Sequence, residues 1–190
     1  MITFINTTDI KITEKTAVVI GKFDGEHRGH RKLFRTLKKE ATERGLKTVV
    51  FSFRILPSNI VKNKHTTQIF TNVERRKKLE ELGIDYYIEY PFNMDIARLT
   101  GEEFLKDILI EKLGMAEIVA GDDAAFGYKK SGNIELLNRL SKEWGFDVKI
   151  ITKEKDDFQN DISSTLIRSK LDEGDMEEAN KLLGGVYSIS

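Results

Sequence analysis

"TAVVIGKFDGEHRGH", residues 16–30, passes from a run of β-branched residues into a turn rich in glycine and histidine. The part over 16–23 is apolar up to a glycine, which predicts a buried strand. The next stretch, 30–45, predicts an amphipathic helix that ends at Gly45, with an apolar stripe of Leu33, Phe34, Leu37 and Ala41. A buried strand that turns through glycines into a helix is typical of the first βα unit of a parallel sheet.

The same alternation continues along the chain. Helix starts are marked by Asn72 as an N-cap and by Thr100 and Glu103 at the spacing of a capping box. We predict further strands over 46–53, 85–90, 116–121 and 146–152, and helices over 72–83, 100–114, 132–145, near Ser163 and near Asp175. Strands that alternate with helices predict an α/β fold, a parallel sheet with helices on both faces, in a single domain over 1–190.

Composition excludes several classes of function. The chain has no cysteine, so disulfides and cysteine-based metal sites are excluded, and its formal net charge is zero. The "RRKK" run at 75–78 predicts a solvated helix face paired with acids one turn away, and we expect no nucleic-acid partner. The N-terminus lacks an apolar signal region, and no apolar run is long enough to span a bilayer. We therefore expect a cytoplasmic protein with no membrane partner.

Two of the three histidines, His27 and His30, lie where the predicted strand becomes a helix. The carboxyl end of a parallel strand is where α/β sheets bind ligands, and a helix N-terminus presents unpaired N–H groups suited to phosphate. Imidazoles three residues apart share one helix face and can donate hydrogen bonds to phosphate oxygens. Two alternatives stay open: the histidines are structural, or they bind a metal with a third ligand, for which His65 has no clear spacing.

A second polar cluster, "DISSTLIR" (161–168), strengthens the prediction of a phosphate-binding site. Its hydroxyl residues, Ser163 to Thr165, lie where a helix should start, and Arg168 follows one turn later. Serine at an N-cap needs no ligand, so the hydroxyls alone indicate a cap. An arginine near the same terminus can clamp phosphate in bidentate fashion. Two helix N-termini with such donors suit a triphosphate.

Together, "GKFDGEHRGH" and "ISSTLIR" resemble the HxGH and ISSTxIR-like motifs of the nucleotidylyltransferase superfamily, which has a Rossmann-like fold. Four further stretches narrow the resemblance to one family within this superfamily. They are the FDG step, "LEELGIDYYIEYPFNMDIARLTGEEFLKDIL", "EIVAGDDAAFGYKKSGN" and the end "GDMEEANKLLGGVYSIS". They are similar to the FMN adenylyltransferase (FAD synthetase) domain of bacterial bifunctional riboflavin kinase/FAD synthetases. The resemblance covers about residues 16 to 190.

The resemblance implies transfer of AMP from ATP to FMN, which gives FAD and pyrophosphate, with Mg²⁺. It implies catalytic roles for His27, His30 and Arg168, and a nucleotide site completed by Gly21, Lys22, Phe23, Asp24, Gly29, Ser164 and Thr165. Asp123 would help to place Mg²⁺ or FMN, and flavin would bind near Phe53, Pro57 and Phe126, which are equally typical of core residues.

The chain departs from the family on the flavin side. The family's "TFxPHP" stretch reads "SFRILP" over 52–57, and alanines stand at 124 and 125 where larger residues are usual. Two alternatives therefore accompany FMN adenylyl transfer: another phosphorylated small molecule as acceptor, or a nucleotide- or flavin-binding protein without catalysis. The chain ends about where the family's riboflavin kinase domain begins, so we expect that domain to be absent and no riboflavin phosphorylation.

Overall fold

Six parallel strands form one sheet in the computed structural model, which describes residues 1–24, 27–54, 69–152 and 162–184. The strand order across the sheet is β1-β4-β3-β2-β5-β6. The strands are β1 (Ile2–Ile5), β2 (Thr16–Ile20), β3 (Lys47–Phe53), β4 (Tyr86–Tyr90), β5 (Met115–Gly121) and β6 (Asp147–Ile151). The parallel α/β sheet predicted from the sequence is confirmed.

Helices cover both faces of this sheet. They are α1 (Arg28–Arg44), α2 (Asn72–Glu81), α3 (Met94–Arg98), α4 (Gly101–Glu103, which continues as a π-helix over Phe104–Ile110), α5 (Ile134–Trp144), α6 (Ser164–Asp172) and α7 (Met176–Leu183), with a 3₁₀ turn at Tyr128–Lys130. Helices α1 and α2 share one core cluster, and α4 with its π-helical extension and α5 share the other. No helix in the described ranges is both long and apolar enough to cross a membrane.

The central strand β2 explains why the sheet has two covered faces. Ala17 and Val19 belong to the core under α1, whereas Val18 belongs to the core on the opposite face. None of the three exposes any side-chain surface, as expected for an apolar strand with alternating side chains. Helix α1 ends at Gly45, whose φ of 65° is the left-handed conformation that the sequence predicted for a cap.

The structure differs from the sequence-based elements in four places. The edge strand β1 and the short helix α3 were not predicted, because four or five residues carry too little periodicity. Helix α2 is capped by Thr71 rather than Asn72, since the Thr71 hydroxyl accepts from the Glu74 amide. The capping box of Thr100 and Glu103 is present, but the helix after it winds as a π-helix from Phe104.

The sheet topology places a crevice at the carboxyl ends of β2 and β5. The chain passes from β2 to β3 on one side and returns to β5 on the other, so the strand order reverses between these two neighbours. Helices α6 and α7 stand beside that edge, where a small apolar cluster joins them to Ile69 and Phe70. Arg31 of α1 also donates to the carbonyl of Gly184 at 2.9 Å, just after α7. The second predicted cluster is thereby brought next to the first.

Candidate active site

The two histidines lie face to face at the start of α1. His27 is the N-cap residue and His30 lies in the first turn, and their rings stack with centroids 3.7 Å apart at an interplanar angle of 24°. An ideal Cβ at Gly29 would stand 3.2 Å from Nδ1 of His27, closer than most Cβ contacts. The prediction that both imidazoles share one helix face is confirmed, and the glycine between them leaves room for the His27 ring.

Burial sets the charge state of His27. The residue is 7% exposed, and the loss of solvation lowers its pKa to about 4, although the nearby Asp24 charge acts in the opposite direction. Its Nδ1 has no hydrogen-bond partner among the described residues. His27 is therefore a neutral imidazole at pH 7, which donates from one ring nitrogen only. Neutrality also permits the close stack with His30, because two imidazolium rings at this distance would repel.

Phe23 holds the histidine turn in shape. Its ring lies edge-on to His30 at 5.3 Å and packs 5.1 Å from Phe34. The backbone of Phe23 has φ of 46°, a left-handed conformation that is costly for a bulky residue. An ideal Cβ at Gly21 would lie 2.6 Å from this ring, so only glycine fits there without moving the ring. Strain of this kind is typical of functional turns.

Asp24 is the buried charge at the centre of the site, with 1% exposure. Its Oδ1 accepts from the amide of Ile69 at 2.8 Å and, more weakly, from that of Phe70 at 3.4 Å. Its Oδ2 accepts from Nη2 of Arg168 at 2.5 Å. A carboxylate out of water needs such partners, and here they come from two separate parts of the chain, residues 69–70 and helix α6.

The N-terminus of α6 is attached to the same turn. Ser164 donates its hydroxyl to the carbonyl of Asp24 at 2.5 Å, and Ser163 caps the helix by accepting from the Leu166 amide. Thr165 is exposed at this terminus. The sequence predicted that the ISST cluster and the histidine turn would meet, and this meeting is confirmed by the contacts of Ser164 and Arg168 with Asp24. Their roles toward a nucleotide stay predictions.

Two other predicted residues are exposed at the carboxyl edge. The Lys22 side chain faces solvent, and its carbonyl accepts from the Ser52 hydroxyl at 3.4 Å. Asp123 follows β5, and its Oδ1 would be 3.1 Å from a Cβ at Gly121, so the carboxylate turns back over the strand end. Nowhere in the described ranges do three His, Asp or Glu residues gather as a metal group, and His65 lies outside those ranges.

Aromatic rings line the carboxyl edge on the face of the sheet opposite α1. Phe53 contacts Phe92 at 4.9 Å, and Phe126 lies 6.0 Å from Phe104. Phe53 and Phe126 are partly buried against the core, and Pro57 lies outside the described residues. Phe92 and Phe104 were not predicted as site residues, although Phe92 follows closely after β4 and so stands at the edge where ligands bind.

A buried polar cluster under α2 was also missed. The expectation that "RRKK" is a solvated face is wrong for Arg75, which is 4% exposed, whereas Arg76 is partly exposed and pairs with Glu89 of β4 at 2.6 Å rather than with an acid one turn away. Glu89 is 1% exposed on β4. A glutamate inside the apolar strand "YYIEY" was the signal in the sequence, because a buried carboxylate needs a cation from a neighbouring element.

Comparison with known proteins shows the family to which this chain belongs. A sequence profile of the FAD synthetase family matches residues 9–166. The chain is 38% identical over 181 residues to a bifunctional riboflavin kinase/FMN adenylyltransferase of Buchnera aphidicola. The matched region covers 95% of this chain and 58% of that relative. The chain thus spans less than two thirds of the length of the curated relative.

Solved structures with the same fold are found as well. The crystal structure of a macrolide-efflux protein from Streptococcus pneumoniae has a TM-score of 0.85 and 34% identity, over 97% of this chain and 60% of that one. Its name denotes a different activity from that of the Buchnera relative, whereas the profile and that relative agree. A pantoate–β-alanine ligase from Francisella tularensis, at 15% identity, TM-score 0.56 and coverage of 97% and 78%, shares the fold.

The lowered pKa of His27 predicts how stability depends on pH. Between about pH 4 and the ordinary histidine value of 6.5, the unfolded chain binds a proton at this residue that the folded chain does not. The contribution of neutral His27 to the free energy of unfolding is therefore fully present above pH 6.5 and is lost as the pH falls to about 4. The loss is on the order of 3 kcal/mol. His27→Gln should flatten the pH dependence of the free energy of unfolding, measured by urea titration from pH 4.5 to 7.5.

His30→Gln is the control for this measurement, since it removes the less buried imidazole of the same stack. Equal slopes for the wild type and His27→Gln would mean that His27 is not buried as a neutral group in solution.

Proposed function

The chain belongs to the FAD synthetase family, and from that premise we propose that it transfers the adenylyl group of ATP to the phosphate of FMN, giving FAD and pyrophosphate. The observation that carries the proposal is the ion pair between Arg168 and Asp24. It joins the second set of phosphate donors to the turn that holds both histidines, as a triphosphate site requires.

The geometry supports in-line displacement without a covalent enzyme intermediate. An oxygen of the FMN phosphate would attack the α-phosphorus of ATP, and the bond from that phosphorus to the bridging oxygen of pyrophosphate would break. Such transfers depend on positioning and on electrostatic stabilisation. The site fits this demand, because it offers imidazole, hydroxyl and guanidinium donors at two helix N-termini.

Each donor has a distinct part in the proposal. His30 would stabilise the charge that develops on the α-phosphate, and neutral His27 would add one hydrogen bond from its second ring nitrogen. Arg168 would clamp the β- and γ-phosphates through the same guanidinium that contacts Asp24. Ser164 and Thr165 would place the helix terminus and its hydroxyls at the nucleotide.

The turn itself would form the wall of the nucleotide pocket. Gly21 and Gly29 let the backbone and the His27 ring approach closely, and Phe23 fixes the position of His30. Lys22 is exposed at the mouth of the turn, where its ammonium would meet the phosphates. These positions support the nucleotide-binding set that the resemblance implies.

Mg²⁺ and flavin would occupy the β5 side of the crevice. Mg²⁺ prefers substrate phosphates with one or two carboxylates, which fits a single acid at the strand end, and we propose Asp123 for it. The chemistry that Mg²⁺ supplies when bound is neutralisation of charge on the triphosphate. The partly buried rings of Phe53 and Phe126 would offer the isoalloxazine an aromatic surface. Pro57 remains a candidate from the resemblance.

The decisive experiment is incubation of the pure chain with ATP, Mg²⁺ and FMN, with FAD and pyrophosphate measured together. We expect both products in equal amounts. The small residues Ala124 and Ala125 beside Phe126 favour one further candidate, an acceptor other than FMN. Pyrophosphate release with another phosphorylated acceptor but not with FMN would support that candidate, and ATP binding without any turnover would contradict both enzymes.

His30→Ala should lower the single-turnover rate of adenylyl transfer by roughly 10²-fold or more, because a preorganised donor to the transition state is lost. The effect on ATP affinity should be smaller. His65→Ala, which removes the histidine outside the motif, is the matched control. A rate within a few-fold of wild type would remove His30 from the chemical step.

Arg168→Ala should weaken ATP binding by roughly 10- to 100-fold as well as turnover, since a charged hydrogen-bond donor is lost in the ground state. Isothermal titration with ATP measures the affinity. Arg168→Lys keeps a cation beside Asp24 and separates loss of the phosphate clamp from loss of the ion pair. Wild-type affinity in both variants would contradict the assignment.

A further inference from the structure

Gly101 is an unusual residue for the start of a helix. It is the first residue of α4, directly after the Thr100 cap, and it is buried. Alanine favours a helix more than glycine does. The backbone of Gly101 has no positive φ, so it does not need the conformational freedom of glycine either. The reason for a glycine at this position therefore lies in what packs against it.

Backbone atoms from the segment after β5 pack against Gly101. A Cβ built on Gly101 would stand 2.5 Å from the amide nitrogen of Gly132 and closer still to its Cα. A Cβ built on Gly127 would stand 2.7 Å from the Cα of Gly101. Real Cβ atoms essentially never come within 3.0 Å of another heavy atom, and backbone does not turn aside as the end of a side chain does. Any larger residue at 101 must therefore move the facing segment.

Hydrogen bonds hold this segment, residues 126–132, on the start of α4. We call it the docked loop. The amide of Gly101 donates to the Ser131 hydroxyl at 2.9 Å, and the amide of Tyr128 donates to the Leu99 carbonyl at 2.6 Å. The loop is thus attached at two points, and the contact at Gly101 sets how closely it approaches the helix.

The position of Phe126 follows from that of Gly132. The two residues exchange backbone hydrogen bonds of 3.0 and 2.9 Å, which close the docked loop. The Phe126 ring also lies against Gly132, because a Cβ there would stand 2.7 Å from Cζ and closer to two other ring carbons. The same ring is 6.0 Å from Phe104, which is 6.2 Å from Phe53. A shift of Gly132 therefore displaces Phe126 from this row of rings.

We propose that Gly101 is a positioning residue for the acceptor of adenylyl transfer. Because it has no Cβ, the docked loop lies close enough to α4 to keep Phe126 beside Phe104, and the aromatic surface for the flavin stays complete. Gly101 acts through Gly132 and Phe126, not by contact with the substrate. The inference rests on the proposed function, since it assumes that these rings bind FMN.

Gly101→Ala tests the proposal by steady-state kinetics of FAD formation. We expect the KM for FMN to rise by roughly three- to tenfold, because an aromatic contact to the acceptor is weakened in the ground state and the transition state alike. For the same reason kcat should stay within about threefold of wild type. The affinity for ATP, measured by isothermal titration, should not change.

Gly145→Ala is the matched control. Gly145 ends α5 with φ of 76°, and a Cβ there has no heavy atom within 4 Å, so alanine strains the backbone without displacing a neighbour. It should lower the melting temperature and leave the KM for FMN unchanged. If Gly101→Ala and Gly145→Ala have the same effect on the KM for FMN, or neither has any, Gly101 is purely structural and the proposal is wrong.

Ser131→Ala gives a second measurement that does not depend on how well Gly101→Ala folds. It removes only the hydroxyl that accepts from the Gly101 amide. The KM for FMN should rise by roughly twofold or more, with ATP affinity unchanged, and a wild-type KM would contradict the proposal.

FMN binding without ATP, followed by quenching of flavin fluorescence, separates this inference from the proposed function. We expect wild type to bind FMN more tightly than Gly101→Ala does. Equal affinities would overturn the positioning role alone. A wild-type chain that does not bind FMN would overturn the proposed acceptor, and the role of Gly101 with it.

Discussion

A single buried carboxylate organises the carboxyl edge of this protein. Asp24 receives two backbone amides from residues 69 and 70, a guanidinium from α6 and, through its own carbonyl, a hydroxyl from the same helix. None of these segments is adjacent to another in the sequence. The cost of placing a charge out of water is met only when all of them are in position, so the charge selects one arrangement of the turn, α2 and α6.

The two sides of the crevice differ in how they are built. The side of α1 and α6 is polar and closely determined, with a neutral imidazole in a stack, a strained phenylalanine and a satisfied carboxylate. The side of β5 is formed by aromatic rings that also belong to the core and by the exposed Asp123. This division suits a reaction in which the phosphate donor must be held rigidly and the acceptor is a flat ring system.

The sequence predicted what depends on local pattern and missed what depends on pairing across the fold. The βα alternation, the helix caps at Gly45 and Thr100 and the face shared by His27 and His30 follow from spacing alone. The partner of Asp24 and the burial of Arg75 do not, because both depend on which elements the topology brings together. The short strand β1 was missed for a different reason, because its four residues gain their structure from pairing with β4 and not from their own periodicity.

The order of the strands also governs how the chain can fold. Ile2 of β1 pairs with Tyr86 of β4, and one edge of β2 pairs with β5, so β1 and that edge of β2 wait for partners made much later, whereas the other edge of β2 pairs with β3, the next strand. Such non-local pairing slows folding and leaves strand edges open in the meantime. The middle of the sheet, from β2 to β4, is contiguous in sequence and is complete before β5 emerges. That half can act as the nucleus, and the crevice for phosphate chemistry is then among the last features of the molecule to form.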